Sequence, residues 1–169
     1  MNGVATDWSP ERTRSSGMLV IGFGNVLRGD DGVGPAVVEA LEALGIDGLQ
    51  TEAHHQLTPE LAIRLSEAAF VVFVDASVER SADAVVVREL RSQDGVGGAS
   101  WTGHRLTPEA LLGLSLELWG RRPKAWCVEV PVSKLGWGPG LTAQARHGVQ
   151  MAVEAILVLK GSQECTKQA

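Results

Sequence analysis

The segment Phe70-Val71-Val72-Phe73-Val74 runs without a polar side chain and stops at Asp75. Successive side chains of a strand point to opposite faces, so a strand of this composition is buried on both. Both faces then need cover, and helices are the usual cover of a parallel sheet. The rest of the chain supplies it. Apolar, β-branched runs at Met18–Phe23, Leu49–Ala53, Phe70–Asp75 and Ala125–Val130 are separated by helical periodicity over Gly34–Leu44, Pro59–Ala68 and Pro108–Trp119, and Thr142–Lys160 closes the series. A further strand, Ala84–Glu89, follows Phe70–Asp75 after only about eight residues, fewer than the dozen a parallel crossover needs. It is therefore predicted antiparallel and near an edge. The expected fold class is α/β: a three-layer αβα sandwich around a mostly parallel, twisted five-stranded sheet with one antiparallel strand.

Composition agrees with a single domain. The chain has 169 residues, 44% hydrophobic and 21% charged, enough apolar area for a sizeable core. The domain is expected over residues 18–160, after a polar, disordered leader at 1–17 and before a polar tail at 161–169. Fifteen basic against twenty acidic side chains give a net charge of −5, which opposes binding to phosphate backbones, so nucleic acid is not an expected partner. No apolar run approaches the roughly 18–20 residues of a membrane helix, and no apolar signal core precedes the first strand. A cytoplasmic monomer with no membrane contact is expected. The two cysteines, Cys127 and Cys165, have no C-x-x-C spacing, which argues against a disulfide framework or structural zinc. Most of the five tryptophans are expected in the core.

The stretch Gly22-Phe23-Gly24-Asn25-Val26-Leu27-Arg28-Gly29-Asp30-Asp31-Gly32-Val33-Gly34 joins the first strand to the first helix. Its opening glycines invite a dinucleotide reading, with Glu52 as the acid for a ribose. Leu27 replaces the third glycine of G-x-G-x-x-G, however, and Asp30 and Asp31 stand where phosphate oxygens would approach. A nucleotide-binding oxidoreductase is thus the weaker alternative. An internal echo is also visible: His55-Gln56-Leu57-Thr58-Pro59-Glu60 is matched by His104-Arg105-Leu106-Thr107-Pro108-Glu109. Thr, Pro and Glu suit a helix start as N-cap, first residue and first-turn acid. Neither histidine is needed for that task.

Read for cations, the same residues improve. Asp31 and Asp75 would rise from adjacent strand ends, and the loop carrying His104 returns to the same rim before the third helix. Two carboxylates and an imidazole suit one divalent ion such as nickel or zinc. No G-x-S-x-G elbow and no H-E-x-x-H helix is present, which removes the common serine-hydrolase and zinc-protease readings. A non-catalytic nickel-sensing module with the same ligands is a second alternative.

The pattern Gly22-x-Gly24-Asn25-x-Leu27-x-x-Asp30-Asp31-Gly32-x-Gly34 closely resembles the signature of the [NiFe]-hydrogenase maturation endopeptidases. The strand ending in Asp75, His104 ahead of a helix, and Gly138-x-Gly140-Leu141-Thr142 opening the last helix follow in the family's order. The resemblance implies an aspartic-type peptidase that cuts a C-terminal extension from a hydrogenase large-subunit precursor after nickel insertion. The nickel belongs to the precursor, and no organic cofactor is implied. By motif position, Asp31, Asp75 and His104 become the metal-contacting residues, with Asp31 and Asp75 as catalytic candidates and Gly22, Gly24, Asn25 and Asp30 as the supporting loop. Where many relatives carry Asp-Gly-Gly-Thr, this chain has His54-His55-Gln56-Leu57-Thr58. That version resembles the branch serving soluble, bidirectional hydrogenases, and it makes His55 and Gln56 the expected determinants of precursor choice.

Overall fold

A computed structural model of the chain describes residues 17–78, 84–91, 106–133 and 135–167. The strands β1 (Met18–Phe23), β2 (Leu49–His54), β3 (Phe70–Ser77), β4 (Val86–Glu89) and β5 (Lys124–Pro131) form one sheet in the order β2-β1-β3-β5-β4. β1 pairs in parallel with β2 and β3, and β3 with β5; β4 runs antiparallel to β5 at the edge. The helices are α1 (Val33–Leu44), α2 (Leu61–Glu67), α3 (Pro108–Trp119) and α4 (Ala143–Lys167), with a 3-10 turn at Gly29–Gly32 ahead of α1. This is the three-layer architecture predicted, antiparallel edge strand included.

β3 divides its side chains between two cores. Val72 and Val74 join Met18, Val20, Trp126 and Val128 beneath α1 and α4. Val71 and Phe73 join Leu19, Ile21 and Cys127 beneath α2 and α3. All four β3 residues are fully buried, and each such burial contributes about 1.5–3 kcal/mol. The continuous apolar run therefore places β3 at the sheet centre, with Asp75 at the point where the core ends.

Two helix boundaries depart from expectation. α2 starts at Leu61, not at Pro59, and Thr58 does not cap it. The Thr58 hydroxyl is engaged by the Glu60 carboxylate, and the amides of Leu61 and Ala62 bond instead to the carbonyls of Thr58 and Pro59. At the matching position of the echo, Thr107 does cap α3, accepting from the Ala110 amide at 3.2 Å. α4 continues to Lys167, through most of the segment expected as a polar tail. Polarity does not end a helix, and the one glycine there, Gly161, costs only about 1 kcal/mol. Cys165 accordingly sits on this helix, exposed. The tryptophans also divide: Trp126 packs in the core against Phe70, whereas Trp119 and Trp137 are 37% and 85% exposed.

Candidate active site

The connection from β1 through α1 leads to β2 on one side, and the connection through α2 returns past β1 to β3. Right-handed crossovers then put α1 and α2 on opposite faces, and a crevice opens where the strand order reverses, at the carboxyl ends of β1 and β3. Asp31 and Asp75 both belong to that edge.

Glycines set the first wall of the crevice. A Cβ on Gly34 would lie 2.5 Å from the Phe23 carbonyl oxygen and 2.8 Å from that of Val74. Without one, the start of α1 rests directly on the ends of β1 and β3. A Cβ on Gly22 would overlap the Gly34 carbonyl, and one on Gly24 the carbonyl of Asp31. The space these glycines leave is thus filled by the protein's own backbone rather than kept open for a pyrophosphate. Glu52, the ribose acid of the dinucleotide alternative, is engaged by Arg64 at 2.6 Å and His54 at 3.1 Å.

The 3-10 turn buries both neighbouring aspartates, yet their carboxylates diverge. Asp30, 2% exposed, accepts from the Thr142 amide at 2.8 Å and its hydroxyl at 2.9 Å. Thr142 in turn caps α4, accepting from the Ala145 amide at 3.1 Å. Two backbone bonds, Gly29 N–H to Gly138 O and Gly138 N–H to Leu27 O, complete the clasp between these loops. Asp31 instead accepts from the Asn25 amide at 3.0 Å, and Asn25 turns its own side chain to the Leu27 amide at 2.9 Å.

Asp31, Asp75, His55 and Gln56 line one cavity of about 230 Å³. Its remaining walls include Gly24, Asn25 and Arg28 from the first loop and Leu106–Pro108 at the start of α3. Asp75 accepts from the Ala76 amide at 2.8 Å, and His55 and Gln56 stand exposed at the rim beside buried Leu57. His104 lies outside the described residues, three positions before the cap Thr107. Among the described residues no group of three His, Cys, Asp or Glu side chains converges on one metal position.

This fold recurs in solved structures. The hydrogenase maturating endopeptidase HybD from E. coli superposes with a TM-score of 0.66 at 22% identity, covering 87% of this chain and 93% of that one. A hydrogenase 2 maturation peptidase from Thaumarchaeota archaeon SCGC_AB-539-E09 gives 0.65 at 25% identity, covering 86% and 99%. An endopeptidase from Escherichia coli gives 0.62 at 25%, covering 84% and 90%. The fold of this chain is the one these hydrogenase maturation endopeptidases share. No protein-family model and no curated protein matches the sequence, so the relationship is carried by fold and by these identities. The likeness supports a maturation-protease role.

Within this fold, two features escaped the reading of the sequence. Glu129 of β5 is in register with Asp75 of β3, which puts the two carboxylates on one face of the sheet. Arg88 of β4 donates to Glu109 of α3 at 3.1 Å and lies 3.7 Å from Glu129. Burial, followed by the field of Glu129 and Asp75, pushes the Cys127 thiol up to about 12. The signal was present: Glu129 is the one charge inside the apolar run Ala125–Val130. The second feature is Arg28, a cation in the wall of the cavity that Asp31 and Asp75 also line. Nothing in its spacing distinguished it from an ordinary loop residue.

Proposed function

We propose that the chain is the endopeptidase that removes the C-terminal extension from a [NiFe]-hydrogenase large-subunit precursor after nickel has been inserted. The observation that carries this reading is the shared cavity of Asp31 and Asp75 at the strand-order reversal, in a chain with the maturation-endopeptidase fold. The two carboxylates, with His104 as third donor, form an incomplete ligand set for a cation that arrives with the substrate. Their mutual repulsion disfavours the empty arrangement and is relieved when the precursor's nickel docks.

Cleavage needs an activated water. Asp31 or Asp75 can take its proton as general base, which is the sense in which the enzyme is aspartic-type. The metal of the precursor can orient the segment to be cut or polarise its carbonyl. His55 and Gln56, exposed on the rim, read the precursor's surface and do not perform the chemistry. They carry the branch preference for soluble, bidirectional hydrogenases. The protein acts as a cytoplasmic monomer. No helix among the described residues is long and apolar enough to cross a membrane.

The test is incubation of the purified chain with nickel-loaded precursor, read by intact-mass measurement. A discrete mass loss at the precursor's C-terminus is expected. Asp75→Asn and His104→Ala are each expected to abolish it without lowering the melting temperature. Near-normal cleavage by both variants overturns the site. Stable binding with no mass loss identifies a nickel-sensing module instead.

A further inference from the structure

Arg28 is the only lysine or arginine among the described residues lining the cavity. Its Nε is buried and has no hydrogen-bond partner among the described residues. The guanidinium carbon lies 5.6 Å from the centroid of the exposed Trp137 ring, a cation–π contact that consumes none of its N–H bonds. The backbone beneath it is fixed by the Arg28 amide bonding to the Asn25 carbonyl at 2.9 Å and by pairing with Gly138. A buried donor held in place without an acceptor is destabilising for the free protein, and an oxygen ligand would relieve it.

The reaction supplies such an oxygen. Two carboxylates in one cavity oppose any negative charge that develops there, and hydrolysis must develop one on the scissile carbonyl. We propose that Arg28 receives the oxygen of the scissile carbonyl and holds the charge that builds on it. This rests on the peptidase reading above. Water adds to the carbonyl carbon while one of its protons passes to Asp31 or Asp75. The C–N bond then breaks, the amine departs with that proton, and the water's second proton passes to solvent, leaving the acyl side as a carboxylate. The guanidinium stays charged throughout and moves no proton. Its forked N–H pair fits both the single oxygen of the intermediate and the carboxylate of the product.

The test compares wild type, Arg28→Gln and Arg28→Lys on the nickel-loaded precursor. In Arg28→Gln, kcat is expected to fall about a hundredfold, the scale of losing one oxyanion donor. KM is expected to stay unchanged, since the interaction strengthens only as charge develops. Arg28→Lys, which keeps the charge and loses the fork, is expected to fall between the two. The processed subunit is expected to inhibit wild type more strongly than Arg28→Gln. Melting temperatures are expected not to fall, because no internal hydrogen bond is removed. Unchanged kcat in Arg28→Gln, or a raised KM at unchanged kcat, overturns the proposal while leaving the peptidase intact. Absence of cleavage by wild type removes the peptidase reading itself, and this proposal with it.

Discussion

Thr142→Val removes one hydroxyl and leaves nearly everything else in place. Valine keeps the shape, and the backbone amide that donates to Asp30 at 2.8 Å is untouched. The hydroxyl makes two bonds: it donates to the Asp30 carboxylate at 2.9 Å and accepts from the Ala145 amide at 3.1 Å. A hydrogen bond to a charged group contributes about 1.5–3 kcal/mol, and an N-cap about 1 kcal/mol. Asp30 is almost completely buried, so water cannot replace the lost donor. Together these give a destabilisation of about 3 kcal/mol. For a chain of this length that corresponds to a fall in Tm of roughly 6–12 °C.

The assay is thermal unfolding of wild type, Thr142→Val, Asp30→Asn and the double variant. Asp30→Asn removes the charge from the same clasp, so the two losses should overlap: the double variant should be less destabilised than the sum by about 1–2 kcal/mol. Precursor cleavage should weaken in step with stability in these variants, because the clasp supports the loop that carries Asn25, Arg28 and Asp31. In Asp75→Asn it should vanish with Tm intact. A Thr142→Val protein that melts within about 1 °C of wild type would refute the inference that Asp30 is a structural clasp.

Two further outcomes follow from shifted groups. Burial and the nearby carboxylates hold Cys127 as the neutral thiol, raised to about 12, while Cys165 is exposed; native protein at pH 8 should give one fast-reacting thiol by dithionitrobenzoate titration, and denatured protein two. Burial raises the Glu52 carboxyl, but hydrogen bonds from Arg64 and His54 outweigh it and leave the group below its ordinary 4.5. A depressed carboxyl contributes stability above its unfolded value and loses it as pH falls through the folded value. Glu52→Gln should therefore melt lower than wild type at pH 7, by a small margin because Arg64 is well exposed, and the gap should close below pH 4.5. A gap that persists at pH 3 would place its origin in packing.

What could be read in advance followed local rules. β3 was legible because an apolar run without a polar face has only one kind of place in a sheet. α3 was legible at both ends: Thr107 and Pro108 open it, and Gly120 closes it with a left-handed residue at φ 64°. α2 shows the limit of the same rule. Thr58-Pro59-Glu60 has the residues of a cap, but there the hydroxyl is taken by the Glu60 side chain, a competition that composition cannot rank. The roles within the site depended on distant partners. Asp30 acquires its function from a residue 112 positions away. Arg28 acquires its interest from an Nε without a partner among the described residues, which no spacing can reveal.

The separation of roles between Asp30 and Asp31 has a geometric cause. Both belong to the 3-10 turn Gly29–Gly32, and such a turn has about three residues per revolution, so consecutive side chains point about 120° apart. One carboxylate can then face the start of α4 while its neighbour faces the crevice. An extended segment would have sent them to opposite sides, losing the rim to one of them. The turn also fixes where α1 can begin: Gly32 and Gly34 let the helix start immediately and settle on the strand ends, and Asp31 lines the same cavity as Asp75. The same short segment thus closes the fold through one aspartate and furnishes the cavity through the next. Its backbone geometry, more than the count of its carboxylates, decides which aspartate reaches the cavity.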